Sequence, residues 1–179
     1  MEQREIKIDS QEIYDGRILR LRVDEVELPN GRAGRREVVE HGEAVAVVAL
    51  DESQNIILIR QYRYATGQQL LEIPAGLMEA GEEPLAAAQR ELEEETGLCA
   101  KHWEQLSCFY SSPGFCDERI YLYLATGLYP GQENPDEDEF IETVSFPLSR
   151  AAQMMQAGDL YDGKTITGIA LAALRYLPR

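Results

Sequence analysis

The stretch Gly76–Leu98, GLMEAGEEPLAAAQRELEEETGL, constrains this chain more than any other. It carries seven glutamates against one arginine, and four of the glutamates fall within Glu91–Glu95. Its helix signals are plain. Pro84 suits a first turn, Glu82 and Glu83 suit the positive end, and Gly97 suits the C′ position. On an ideal helix Leu85, Ala88 and Leu92 fall within an arc of about 60°, which predicts a burial stripe. Glu91, Glu94 and Glu95 stand at i, i+3 and i+4 and share a neighbouring face, while Glu93 points to solvent and Arg90 flanks the trio. Like charges one turn apart destabilise a helix by about 0.2–0.5 kcal/mol per pair. An acidic helix face is ordinarily just a solvated surface. This trio borders the burial stripe and follows a Pro- and Gly-punctuated loop, Ile73–Gly81. A hard divalent cation among the carboxylates would turn repulsion into binding, and Mg²⁺ prefers such oxygen ligands while keeping waters and a substrate phosphate.

The formal charge of −15 argues against DNA or a membrane surface as partner, since both are anionic. An anionic substrate would need an interposed cation. Three cysteines with no CxxC pair (Cys99, Cys108, Cys116) fit reduced thiols used as small core residues. The opening MEQREIKIDSQ is too charged for a signal peptide, and the longest apolar run, Ala44–Leu50, is far short of a membrane span. These features predict a cytoplasmic protein.

Near-alternating apolar residues predict a strand over Ile18–Leu28, a turn at Pro29–Arg35 and a returning strand at Arg36–His41. Ala44–Leu50 and Asn55–Arg60 predict buried strands, and Tyr121–Ala125 and Ile141–Phe146 predict two more. Leu148–Ala157 and Ile166–Leu177 read as helices, and Gly131–Glu139 as an acidic loop. Strands interleaved with a few helices predict an α/β (α+β) sandwich preceded by a β-rich arm.

The acidic stretch resembles the Nudix box at every defined position: Gly76, Glu82, Arg90-Glu91-Leu92, Glu94-Glu95 and Gly97-Leu98, at the box spacings. The resemblance implies the Nudix fold, an α/β/α sandwich around a mixed sheet, at residues 42–179, with residues 1–41 as a dimerising β arm. It also implies hydrolysis of a nucleoside diphosphate linked to another group. Arg90 would hold the loop–helix turn. Glu91, Glu94 and Glu95 would ligate Mg²⁺ or Mn²⁺, joined by the carbonyl of Ala75, with Glu94 also counted among the catalytic groups.

Pro113, fifteen residues after Leu98, resembles the mark of the ADP-ribose pyrophosphatase subfamily. VELPNGRAGRREVVEH, RQYRYATGQQLLEIPAG, SSPGFCDE and NPDEDEF extend that similarity from about Tyr14 to Tyr176. Carried over by position, Arg63 would bind the diphosphate or adenine-side groups, and Arg36 and Glu37 the adenosine end, with Arg17, Ile18 and His41 as weaker contacts. Leu77 would line the pocket, and Ser112, Pro113, Gly114 and Glu118 would shape the terminal ribose site. The catalytic base would sit in PDEDEF: Glu139, also a metal contact, or its rival Glu137. A base on a loop suits the chemistry, because closure excludes water as it delivers the carboxylate. The resemblance implies a homodimer with exchanged N-terminal strands that turns ADP-ribose into AMP and ribose 5-phosphate. The alternatives are another nucleoside diphosphate sugar such as GDP-mannose, or a non-catalytic regulator that binds ADP-ribose.

One competing motif is GDLYDGKT, Gly158–Thr165, which satisfies the phosphate-binding expression GxxxxGK[ST]. That loop should spring from a buried strand. Here a predicted helix precedes it, and Asp159 and Asp162 would oppose phosphate, so the expectation is a helix–helix connection with Lys164 on the surface. No GxSxG, and no His/Cys cluster around His41 or His102, supports nucleophile or zinc chemistry.

Overall fold

The computed structural model describes residues 3–132 and 140–178. It comprises two compact units. The first consists of residues 1–43 and 110–119, the second of residues 44–109 and 120–179.

The first unit carries three antiparallel strands in the order β1-β2-β3: β1 (Ile6–Asp15), β2 (Leu19–Glu27) and β3 (Ala33–His41). The turn between β2 and β3 is closed by Leu28 N–H donating to the Arg32 carbonyl at 2.8 Å, with Gly31 at φ 77°. The predicted hairpin is thus present, with β3 beginning three residues earlier than the pattern placed it. β1 escapes pattern reading because every one of its ten residues is exposed, so no inward period is selected. The register sets Asp24 opposite Arg36 and Val23 opposite Glu37.

The second unit is built on β4 (Ala44–Leu50), β5 (Asn55–Arg63), β6 (Gln68–Glu72), β7 (Ala75–Leu77), helix α1 (Pro84–Thr96), β8 (Leu98–Tyr110), β9 (Arg119–Pro130), β10 (Ile141–Pro147), and helices α2 (Leu148–Ala157) and α3 (Gly163–Tyr176). Its seven-stranded sheet runs β10-β5-β4-β9-β8, with β6 on β5 and β7 on β4. The β4–β9 pair is parallel and β5 antiparallel to β4, so the sheet is mixed.

β4 explains the layering. All seven of its residues are buried, as a strand covered on both faces requires. Val45, Val47 and Ala49 pack with Ala87, Ala88 and Leu92 of α1. Ala46, Val48 and Leu50 pack with Leu148 and Ala151 of α2 and with Ile169 and Ala172 of α3. The expected α/β/α sandwich is therefore observed. Gly168 lets α3 lie against the sheet, since a Cβ there would stand 2.7 Å from Val48.

Some local expectations are corrected. The burial stripe of α1 is not Leu85, Ala88 and Leu92: Leu85 is 40 % exposed, and the buried face holds Ala87, Ala88, Leu92 and Glu95. Ala88, Leu92 and Glu95 lie at i, i+4 and i+7, so the face is rotated toward a carboxylate that apolar counting ignores. α3 starts at Gly163, earlier than its apolar run, because Asp162 caps it.

Candidate active site

α1 places the acidic groups. Pro84 opens it, and Gly97 ends it in the left-handed region at φ 66°, donating back to the Glu93 carbonyl. Glu83 occupies the N-cap without a side-chain cap bond. Glu82 turns instead to the preceding loop, accepting from Glu79 N–H at 2.9 Å and from Arg90.

Arg90 is the hub. Its Nε and Nη2 donate to Glu82 at 3.1 and 3.0 Å, and Nη1 donates to Glu91 at 2.6 Å and Glu94 at 2.9 Å. Nη2 also donates to the Leu77 carbonyl at 3.0 Å. One guanidinium thereby joins the helix to the loop before it and offsets repulsion among three carboxylates. The Glu82 bonds, then those of Glu94 and the Glu91 charge, outweigh burial and raise the Arg90 pKa. Glu82 is held below the usual carboxylate range, chiefly by its bonds from Arg90 and from Glu79 N–H.

Two contacts fix the loop against α1. Glu95 is buried (1 % exposed) and accepts from Ala75 N–H at 2.9 Å. Gly76 lies so close to Glu91 that a Cβ there would stand 2.2–2.3 Å from the carboxyl atoms. The glycine is needed for room rather than for backbone conformation, since its φ is not positive.

Glu91, Glu94, Glu95 and Ala75 thus belong to one loop–helix unit, but their carboxylates do not converge on a point. Among the described residues, no three acidic, His or Cys side chains are grouped to enclose a metal. Arg90 draws Glu91 and Glu94 to itself while Ala75 holds Glu95, which is why the convergence expected from helical spacing is not seen. The donor set still suits a hard divalent cation: it is all oxygen, and the glycine cradle keeps the Glu91 carboxylate against the loop.

Arg63, at the end of β5, forks onto Glu72, with Nε to Oε1 at 2.7 Å and Nη2 to Oε2 at 2.8 Å. Glu72 is 1 % exposed and also takes Lys164 of α3. Burial pushes the Glu72 carboxyl up, yet the Arg63 bonds and Lys164 bring it below the usual range. Lys164 is not on the surface as the sequence suggested, its side chain being only 12 % exposed. Glu93 likewise does not simply face solvent, because it accepts from Gln132 N–H at 3.0 Å. Arg90, Glu93, Glu94 and Gln132 line an open depression. Glu137 and Glu139 lie outside the described residues.

In the first unit, Arg36 pairs with Glu5, Nε donating at 2.8 Å, and Glu37 is exposed. As neighbours on β3 they leave opposite faces of the strand. Ser112, Pro113, Gly114 and Glu118 lie in a segment stitched to the end of β3. Phe115 and Cys116 N–H both donate to the Ser112 carbonyl, Val39 N–H donates to the Phe115 carbonyl at 2.7 Å, and His41 N–H donates to Asp117 at 2.8 Å. His41 Nδ1 stands 3.5 Å from Glu118. Leu77 is 41 % exposed.

Sequence reasoning missed Glu72, Asp162 and Thr165. The available signal was an acidic residue inside the apolar run LLEIPAG, which demands a buried partner.

A glycine loop pinned by an arginine hub onto an acidic helix, on one face of a mixed sheet, defines the class: the chain belongs to the Nudix family and is a hydrolase. The NUDIX domain matches residues 40–165, and the N-terminal domain of nucleoside diphosphate sugar hydrolases matches residues 5–39. Enzymes of this family generally work with a divalent metal. The chain is 43 % identical over 171 residues to a methanol dehydrogenase activator of Bacillus methanolicus, covering 94 % of this chain and 92 % of that protein. It is 42 % identical over 170 residues to an ADP-ribose pyrophosphatase of Bacillus subtilis (strain 168), with the same coverage. A solved ADP compounds hydrolase superposes with a TM-score of 0.86 at 25 % identity, covering 96 % of this chain and 94 % of that one. No helix among the described residues is long and apolar enough to cross a membrane.

Proposed function

We infer that the protein hydrolyses the diphosphate of ADP-ribose to AMP and ribose 5-phosphate, with Mg²⁺ or Mn²⁺ in the site. The observation that carries this is the clamped loop–helix unit, Glu95 on Ala75 N–H and Glu91 against Gly76, within a chain that resembles an ADP-ribose pyrophosphatase over 94 % of its length. Glu91, Glu94, Glu95 and the Ala75 carbonyl would hold the metal. When bound, it supplies Lewis acidity to the P–O bond and lowers the pKa of bound water. Arg90 bridges Glu91 and Glu94. Arg63 meets the diphosphate, Arg36 and Glu37 the adenosine end, Leu77 the pocket wall, and Ser112, Pro113, Gly114 and Glu118 the terminal ribose. Glu139 or Glu137 takes the proton from water as its oxygen bonds to phosphorus and the bridging P–O bond breaks.

The protein works as a cytoplasmic homodimer that exchanges its N-terminal arms. The exposed Ile6, Ile8, Ile13 and Tyr14 on β1 support this, being too many apolar side chains for one free strand. A monomer in sedimentation at micromolar concentration would refute it. The cysteines at 99, 108 and 116 are free thiols, which suits a reducing compartment.

The second reading, another nucleoside diphosphate sugar such as GDP-mannose, draws on the match of residues 5–39 to a domain of that broader substrate class. A non-catalytic ADP-ribose-binding role is disfavoured by the complete set of box carboxylates. Rates on ADP-ribose, other ADP-sugars and GDP-mannose with Mg²⁺ decide among them. The highest kcat/KM is expected for ADP-ribose; a preference for GDP-mannose, or no turnover at all, would overturn the reading.

A further inference from the structure

The GDLYDGKT stretch leads into α3; Asp159 and Tyr161 are exposed, while Asp162, Lys164 and Thr165 turn inward. Asp162 caps the helix, accepting from Thr165 N–H at 3.0 Å and from its hydroxyl at 2.5 Å. Thr165 Oγ1 in turn accepts from Ile73 N–H at 2.8 Å, at the entry to the glycine loop. The Lys164 ammonium sits between Asp162, at 3.1 Å, and the buried Glu72. Flanked by two carboxylates and 12 % exposed, it is not placed to reach for a phosphate of its own.

What Lys164 does is fix Glu72. A bidentate pair sets the plane of the arginine fork relative to its carboxylate. The carboxylate itself can still turn unless something else grips it, because the terminal torsion of glutamate is broad. Lys164 grips Oε2, the same oxygen that receives Arg63 Nη2, and Asp162 holds Lys164 from the other side. Among the described residues, the Arg63 bonds run from Nε and Nη2 to Glu72, and Nη1 has no hydrogen-bond partner. The Arg63 side chain is 39 % exposed, so this edge is within reach of a ligand.

We propose that Lys164 is a positioning residue for substrate: through Glu72 it holds Arg63 so that the Nη1 edge is presented to the diphosphate. This rests on the reading above in which Arg63 meets the diphosphate. It assigns a role to a motif that otherwise looks like a misplaced phosphate loop. The same helical turn also holds the loop entry through Thr165 and Ile73.

The test is steady-state hydrolysis of ADP-ribose at saturating metal by Lys164→Met, Lys164→Arg, Arg63→Met and the Lys164→Met/Arg63→Met double variant, with thermal midpoints alongside. Lys164→Met should raise KM about tenfold with kcat within about twofold, less than the ~10²-fold that a displacement of ~1 Å can cause. Lys164→Arg should restore most of the affinity. In the Arg63→Met background, Lys164→Met should add nothing, because its effect runs through Arg63. A merely structural lysine would lower activity and stability equally in both backgrounds. An unchanged KM in Lys164→Met, or the full rise in both backgrounds, overturns the proposal. An unchanged KM in Arg63→Met overturns the assignment of Arg63 itself. Should Lys164→Met not fold, Asp162→Asn loosens Lys164 while keeping the cap, and an unchanged KM there overturns the proposal.

Discussion

Gly76→Ala isolates the geometry on which the site depends. The new Cβ would lie 2.2–2.3 Å from the carboxyl atoms of Glu91, where ordinary contact begins at 3.4 Å. Something must move by at least about 1.2 Å, the difference between 3.4 and 2.2 Å. The Glu91 carboxylate is the far end of a flexible side chain, so it gives way before the backbone does. Its 2.6 Å bond from Arg90 is strained or lost, worth about 1 kcal/mol for a partly exposed pair. The backbone at Gly76 is not in the left-handed region, so alanine should recover about 0.4–1 kcal/mol through the unfolded state. Stability should therefore change by less than about 1 kcal/mol. The misplaced carboxylate, by contrast, should lower kcat/KM about 10²-fold. Urea titration and steady-state kinetics on ADP-ribose measure the two quantities separately. Wild-type turnover, or a variant that does not fold, would refute the reasoning, since each denies that the overlap is borne by Glu91 alone.

Glu95→Gln keeps an acceptor for Ala75 N–H, so it should fold normally while losing turnover by about 10²-fold or more through a lost metal ligand; wild-type rates would remove Glu95 from the site. Thr165→Val leaves the Ile73 N–H without its buried acceptor, and chemical denaturation should show a loss of about 1–3 kcal/mol; an unchanged midpoint would mean the bond contributes nothing. The lowered pKa of Glu72 means that its stabilisation is present above the ordinary value of 4.5 and is lost as pH falls through the lower folded value. Wild type should accordingly lose more stability than Glu72→Gln as pH falls below 4.5; parallel pH profiles would contradict the buried ion-pair account.

The parts of the fold legible in the sequence were those where burial imposes a period or a stop. Ala44–Leu50 reads as a doubly covered strand because all seven residues are apolar, and Pro84 and Gly97 mark the ends of α1. β1 and β8 were not legible as strands. The first is exposed throughout, and the second lies at the sheet edge with mixed burial, so neither carries a clean alternation. The acidic helix and its arginine could be read from spacing and from the family resemblance. Glu95, however, is a buried group and not part of an exposed cluster, because the loop backbone folds over it. That Glu72 needs a buried partner was legible from LLEIPAG, but which residues make up the ion-pair chain Arg63–Glu72–Lys164–Asp162 was not. Its members are up to 101 positions apart by residue number (Arg63 to Lys164), and only the sheet-and-helix packing brings them together.

The most direct test of the central claim is the appearance of AMP from ADP-ribose during a Mg²⁺ titration of metal-stripped protein, wild type beside Glu95→Gln. The account predicts no AMP from the stripped wild type, recovery that saturates as Mg²⁺ is added, and a response in Glu95→Gln that is weaker and shifted to higher Mg²⁺. Undiminished AMP formation from the stripped protein would contradict it.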